Sequence, residues 1–512
     1  MPASWTEGYF TCASYTHGYY REMCPAYIRF CLLAAGLLPP PAQDYAYCEL
    51  AMGNGFSANI HAVSNPGRFT GTDFNPEQAA FAAHLAARGQ SGLEVSDDSF
   101  EEFSERAHPG YDYICLHGGW SWISARNRAL VVEFARRHLK PGGVFYLSYN
   151  CYPGWAVAAP LRKLFKLFEE CCPGDAAAAE RIAGAVELTG GFLQAAPLYL
   201  NSSPWIQERF DDLRGQKPEY LAHEFFNADW HVTYFSDVAR ELAEAKLSFG
   251  ASATAQNNIP GFGLTGEARE YLDRVNDPLM YQQLWDYFCN TQFRGDIFVR
   301  GAVRLNEVEQ RAALEAERFV LTVAPGEVVY SMSSGMGSFQ LDSEAHGAVV
   351  DVLASDGGGP KSFAAILDRL EGLGKGMNAR QLLGVLARLV GKTCVAPCQP
   401  ELQAAAVRKR CGTFNAEILR RTAGSDELGH LASPETGGGA AVPRLERFFL
   451  QALQDGLNPA SYAMQILEDN REQLTWNGKS LNDRNEALKM IEEAAERFSR
   501  FSLPQLKALG IA

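Results

Sequence analysis

Ala46-Tyr-Cys-Glu-Leu-Ala-Met-Gly-Asn-Gly-Phe56 runs from an apolar stretch into small residues and glycines, and Arg68-Phe-Thr-Gly-Thr-Asp-Phe74 follows as a second short strand ending in an acid. In an open α/β sheet, ligands bind where the carboxyl ends of strands meet loops and helix starts. Gly53 and Gly55 let a backbone approach a ligand that a Cβ would hold off. Asp73 stands where an acid can accept both hydroxyls of a ribose. Glu49, in the first loop, suits a positively charged ligand better than a pyrophosphate. Together these residues predict a cationic nucleoside cofactor, S-adenosyl-L-methionine (SAM), in preference to NAD.

The segments that follow extend the pattern. Gly92 to Phe100 reads as a third strand ending in acids, where adenine would lie; Asp98 is preferred over Asp97, with Ser99 as a backbone contact and Phe100 as a stacking wall. Tyr111 to Gly118 is a fourth strand, bringing Leu116 and His117 to its end. Asn127 to Leu139 has helical spacing and is stopped by Lys140-Pro-Gly-Gly143, after which Val144 to Asn150 forms a fifth strand. Strands alternating with helical stretches predict an α/β, Rossmann-like, doubly wound parallel sheet. The order of glycine loop, ribose acid, adenine acid and Leu-Lys-Pro-Gly-Gly before a strand resembles the class I SAM-dependent methyltransferases. One departure is that the usual acid-x-Gly-x-Gly-x-Gly reads here as Glu49, Ala51, Gly53 and Gly55, with Asn54 between the glycines. The alanine narrows the loop without blocking it.

Three further stretches, Tyr113-Ile-Cys-Leu-His-Gly-Gly-Trp-Ser-Trp-Ile123, Leu147-Ser-Tyr-Asn-Cys-Tyr-Pro-Gly-Trp155 and His223-Glu-Phe-Phe-Asn227, resemble a bacterial group that carries a methyltransferase regulatory domain. That group includes rickettsial lysine methyltransferases that modify an outer membrane protein. The resemblance covers most of the chain. It implies SAM as cofactor and a homodimer joined through an inserted helical region, and it leaves the acceptor undecided.

Composition sets outer limits. The 512 residues correspond to about three domains at roughly 150 residues each. A net charge of −14 argues against a nucleic-acid substrate, which calls for a basic face, and suits a basic acceptor. The first residues lack a basic segment followed by an apolar one, and no stretch is apolar over about 18 residues, so neither a signal peptide nor membrane insertion is expected. The chain is expected to be cytoplasmic. Its 12 cysteines are scattered, and Cys394, Cys398 and Cys411 have no histidine at metal-ligand spacing. The cluster His223, Glu224, Asn227, Asp229 and His231 departs from H-E-x-x-H, and no metal site is predicted.

The organisation expected is a SAM-binding core over 1–155, a helical insertion over 156–230, and the last strands of the core over 231–305. A middle and winged-helix-like domain follows over 306–433, and a C-terminal helical region over 440–512. Helix-helix-helix-strand order from Ala348 to Val395 supports the winged helix, and Gly326 to Tyr330 reads as a strand of its sheet. Pro434 to Gly439 reads as a flexible break, and Arg408-Lys-Arg410 as a solvated face. Near the N-terminus, Tyr15 and Tyr20 either fold back as a lid over the cofactor or pack on the sheet.

The chemistry asked of such a site is an in-line displacement at a sulfonium methyl group, for which the protein supplies position and electrostatics. A lysine acceptor with an ordinary pKa near about 10.4 must first lose a proton, and an apolar, aromatic channel favours that loss. Trp120, Trp122, Tyr149, Tyr152 and Trp155 are placed to line it, with cation–π attraction holding the ammonium. Tyr149 and Asn150 orient the amine; His223 and Glu224 close the acceptor pocket. His117 is either a base, attractive for a hydroxyl acceptor, or a residue shaping the cofactor pocket. Ser57 and Asn59 are expected to cap the helix after the glycine loop. Two other functions stay open: a small-molecule N- or O-methyltransferase, and a regulatory protein that binds SAM without transferring its methyl group.

Overall fold

Tyr47, Cys48 and Leu50 have no polar side to show, and the strand that they form, β1 (Ala46–Leu50), is buried on both faces at the centre of a sheet. A computed structural model describes residues 5–6, 8–9, 11, 17–171, 178–216, 218–472, 475–476, 479–480 and 483–512. Around β1 lie β2 (Arg68–Thr72), β3 (Glu94–Ser96), β4 (Tyr111–Leu116), β5 (Leu139–Asn150), β6 (Leu247–Ser252) and β7 (Phe293–Arg300). The seven strands run in the order β3-β2-β1-β4-β5-β7-β6. β1 to β5 are parallel, as alternation with helices requires, whereas β7 lies antiparallel between β5 and β6. The order reverses between β1 and β4, the switch point where an open sheet binds ligands. Lys140-Pro-Gly-Gly143, expected as a break, is instead the first part of β5, with a bulge against β4 absorbing its irregularity.

Local chemistry sets where the helices start. Asn75 caps Pro76–Gly89, Ser99 caps Phe100–Glu105 in a reciprocal pair with Glu102, and Ser124 caps Ala125–His138. Ser57 and Asn59 do not cap the helix Phe56–Ser64. Gly55, at φ 65°, precedes it without a side-chain cap, and a Cβ there would stand 2.5 Å from that of Ala82. Asn59 instead donates to the carbonyls of Gly55 and Ala82, tying two helices together.

Between β5 and β6 the helices Ala159–Glu170, Ala178–Gln194, Trp205–Arg214 and Pro218–Phe225 share a separate apolar core around Trp155, Phe165, Ile206 and Phe210. Beyond β7, strand Arg318–Leu321 pairs with Lys361–Ser362 and Val395–Cys398, and helices Ser343–Ala354, Phe363–Gly372 and Ala379–Gly391 pack beside them in a winged-helix-like order. Gly326 to Tyr330 holds a single 3₁₀ turn; the strand begins at Ser331.

The supposed break at Pro434 to Gly439 is the turn of a hairpin, His430–Ser433 with Gly438–Ala441. Asn65, at the end of the helix after the glycine loop, donates to Gly437 O at 2.6 Å. Arg408 and Lys409 are exposed, as a solvated face requires, yet Arg408 also pairs with the buried Glu435 at 2.6 Å and Arg410 donates to Asn65 O at 2.7 Å. Helix Glu401–Thr422 packs on the helices flanking β2, with Phe414 against Gly89. The C-terminal part is thereby built onto the back of the glycine-loop half of the sheet.

Candidate functional site

A cavity opens at the carboxyl ends of β1, β2 and β4. Its floor is the glycine loop. Asp73 is 7% exposed; its Oδ2 accepts from the Gly53 N–H at 2.9 Å and its Oδ1 from the Asn75 N–H at 3.0 Å. Each oxygen keeps a second lone pair, enough for the two hydroxyls of one ribose. Burial pushes Asp73 up to about 6, against the lowering pull of those two N–H groups. Glu49, beneath the loop, is 3% exposed and is pushed up by burial to about 8, although the Tyr47 hydroxyl donates to it at 3.2 Å. Two buried carboxyls in one cavity favour a cationic ligand that restores their charge.

Asp98 lines the cavity while Asp97 is exposed, and Arg106 donates to Asp98 Oδ1 at 2.6 Å. The Thr72 hydroxyl donates to Asp98 O at 2.7 Å, pinning that loop to the end of β2. Phe74, Ser99 and Phe100 complete this side. On the other side, His117 stacks on Tyr20 with ring centroids 3.9 Å apart. Its Nδ1 meets the Tyr146 hydroxyl at 2.9 Å and Ser148 Oγ at 3.2 Å, and burial lowers its pKa to about 4. An imidazole whose conjugate acid is that strong is a weak base at neutral pH, so the geometry favours the pocket-shaping role. The indole N–H of Trp122, also at the cavity, is buried without a hydrogen-bond partner among the described residues, a donor held for a ligand.

Of the residues expected to hold the cofactor, Tyr20, Glu49, Ala51, Gly53, Asn54, Asp73, Phe74, Asp98, Ser99, Phe100 and His117 come together around this cavity. Gly55 and Leu116 do not: Gly55 serves helix packing, and Leu116 is buried in the core beneath β4. Tyr15 lies outside the described residues.

The aromatic acceptor channel is not assembled as expected. Only Trp122 of its five members lines the cavity. Side chains alternate along a strand, so Ser148 and Asn150 share one face of β5 and Tyr149 takes the other, where its hydroxyl donates to Asp296 at 2.7 Å. Trp120 is fully buried under Ala125–His138 with the residues of β4. Trp155 belongs to the core of the inserted helices, and Tyr152 packs on Tyr234. His223 reaches the cavity wall, and Glu224 stands next to it, holding Asn150 Nδ2 at 3.4 Å.

Several residues at or near the cavity were not singled out in the sequence. Trp5, Thr6 and Tyr9 reach the cavity from the N-terminal segment, where Tyr9 packs edge-on against Phe74 and near His223. Gly8 O accepts from Ala228 N–H at 2.9 Å, which fastens this segment beside the 223–231 stretch. Phe293, 48% exposed on β7, lies 6.2 Å from the His117 ring. The early aromatic pattern hinted at the first group; Phe293 needed the β5–β7 pairing.

Comparison with known proteins gives the family and the fold. The family described as a methyltransferase domain matches residues 48–143, and the family described as a predicted methyltransferase regulatory domain matches residues 217–300. An uncharacterized protein of Synechocystis sp. is 34% identical over 512 residues, covering 99% of this chain and 100% of its own. An uncharacterized protein of Rickettsia prowazekii is 24% identical over 302 residues, 57% of this chain and 52% of its own. Among solved structures, PKMT2 from Rickettsia typhi in complex with AdoHcy shares the fold, with a TM-score of 0.69 at 16% identity over 96% of this chain and 99% of that one.

Proposed function

The chain belongs to the SAM-dependent methyltransferases that carry a methyltransferase regulatory domain, and on that basis we propose that its methyl acceptor is a lysine side chain of a protein. The observation that carries this reading is the fold shared with PKMT2 along the whole chain, including the parts beyond the sheet that a small-molecule enzyme does not need.

In this reading Asp73 holds the ribose, Asp98 and Phe100 flank the adenine, and Glu49 faces the positive charge of the methionine part. SAM supplies an activated methyl group, and the chain supplies position and a setting of low polarity. Tyr20 and His117 form a flat wall, and Trp122 also lines the cavity. The N-terminal segment, carrying Tyr9, and the 223–231 stretch border the side from which the acceptor enters.

The inserted helices leave Leu188, Phe192, Leu198 and Trp205 exposed at 46%, 38%, 85% and 55%. An apolar face of this kind suits a second copy of the chain, so the working form is a homodimer, and Phe192→Asp is expected to yield a monomer in light scattering. The described cysteines are free thiols, in keeping with a reducing, cytoplasmic setting.

The test is to incubate the purified protein with methyl-labelled SAM and a lysate of its source organism, and to locate the label by mass spectrometry. Label on protein lysines is expected. Label confined to the small-molecule fraction would overturn the lysine reading and make this a metabolite methyltransferase.

A further inference from the structure

Behind the cavity wall, at the carboxyl end of β5, Asn150 is held from both sides. Its N–H donates to Ser121 Oγ at 2.8 Å, and its carbonyl accepts from Thr233 N–H at 3.2 Å. Its side chain is thereby aimed at Glu224, with Nδ2 donating to Oε1 at 3.4 Å. Glu224 lies in the last turn of the helix Pro218–Phe225 and is next in sequence to His223, which lines the cavity. The charged and titratable groups facing it are Arg209 from the helix Trp205–Arg214, Tyr9 from the N-terminal segment, and its neighbour His223. Arg209 lies over the Trp155 ring, 5.3 Å from its centroid, and makes no ion pair with Glu224 among the described residues. Burial accordingly pushes Glu224 up to about 7, with Asn150 and Arg209 opposing weakly.

A half-buried carboxylate with no paired cation among the described residues is open to one that a ligand brings. A carboxylate beside an amide oxygen presents several acceptors together, matching an ammonium with three donors better than a hydroxyl with one. We propose that Glu224 and Asn150 form an acceptor subsite selective for a primary amine, in which the Glu224 carboxylate takes the proton that the acceptor ammonium must lose. This rests on the lysine reading above.

The step balances as follows. An N–H bond of the ammonium breaks and its proton passes to a Glu224 oxygen, leaving the lone pair on nitrogen. That pair forms the N–C bond to the methyl carbon as the C–S bond breaks, with its electrons remaining on sulfur. Glu224 then returns its proton to water. A carboxyl that titrates near neutrality both accepts and releases that proton readily.

The test is calorimetric titration of n-butylammonium, the lysine side-chain analogue, into the full chain saturated with S-adenosylhomocysteine, with n-butanol as comparator. The wild type is expected to bind the amine and not the alcohol, and to bind more weakly as the pH falls below about 7. Glu224→Gln is expected to weaken amine binding by roughly tenfold or more and to remove that pH dependence, while S-adenosylhomocysteine affinity stays unchanged and shows the fold intact. Glu224→Asp, which keeps the charge, is expected to recover part of the binding. Amine affinity unchanged in Glu224→Gln, or equal binding of amine and alcohol, would overturn the subsite. Label on protein lysines together with unchanged amine binding in Glu224→Gln overturns this assignment alone; label on a hydroxyl acceptor overturns the lysine reading itself.

Discussion

The Asp73 carboxylate accepts the Gly53 N–H at 2.9 Å, so the acid ending β2 also holds the glycine loop that follows β1. One residue therefore shapes the loop and offers lone pairs to the ligand that the loop cradles. Asp73→Ala removes both functions. SAM affinity is expected to fall by roughly tenfold to a hundredfold, since a hydrogen bond to a charged group contributes about 1.5–3 kcal/mol. Calorimetry with the folded variant checks this, and unchanged affinity would remove Asp73 from the ribose position.

Glu49 and Asp73 make the protein's stability and cofactor binding depend on pH in opposite directions. Burial raises Glu49 to about 8 and Asp73 to about 6, above the ordinary carboxyl values of about 4 in an unfolded chain. Between those limits the native ligand-free chain binds more protons than the unfolded chain, so its stability is highest at the acid end of the window and falls as pH rises toward about 8. A cationic ligand favours the ionised carboxylates, so SAM binding near neutral pH is expected to expel a proton. Binding enthalpies measured in buffers of different ionisation heat would reveal it. Glu49→Gln is expected to abolish much of the proton release and to flatten the melting temperature against pH.

Ala51 occupies the left-handed region at φ 51°, where the usual motif has glycine. That conformation costs an L-residue about 1–2 kcal/mol, part of which glycine loses again through the greater freedom of its unfolded chain. Ala51→Gly is expected to raise stability by about 0.5–1 kcal/mol in denaturant unfolding without weakening SAM binding.

Two neighbouring tryptophans are expected to respond differently to truncation. Trp120 is fully buried in the core, and Trp120→Ala is expected to cost about 3–5 kcal/mol. Trp122 lines the cavity, where Trp120 does not. Trp122→Ala is expected to cost much less stability and to weaken ligand binding. Paired unfolding and binding measurements would separate the two, and a larger stability loss for Trp122 would place it in the core instead.

Much of the sheet was legible because its signals are local. Mostly apolar strands, capped helix starts and acids at strand ends sit within a few residues of one another, and the predicted first five strands stand in the parallel order their helices require. The direction of β7 was not legible, since nothing within Phe293 to Arg300 says which way it runs between β5 and β6. Nor was the C-terminal turn. Pro, Gly and Thr read the same in a loose linker as in a hairpin, and it is Asn65 and Glu435, distant in sequence from each other, that make Pro434 to Gly439 part of a packed contact.

The sequence by itself determined the glycine loop, the acids at 49, 73 and 98, the cofactor class and the sheet that presents them, because each follows from residue type and short-range order. Only the tertiary structure decided which aromatic side chains reach the site. Tyr149, Trp120 and Trp155 lie near it in the chain but face other cores, whereas Trp5 and Tyr9 arrive from the N-terminal segment. The physical reason is that a strand turns alternate side chains to opposite faces, and which face becomes the cavity is set by what packs against it.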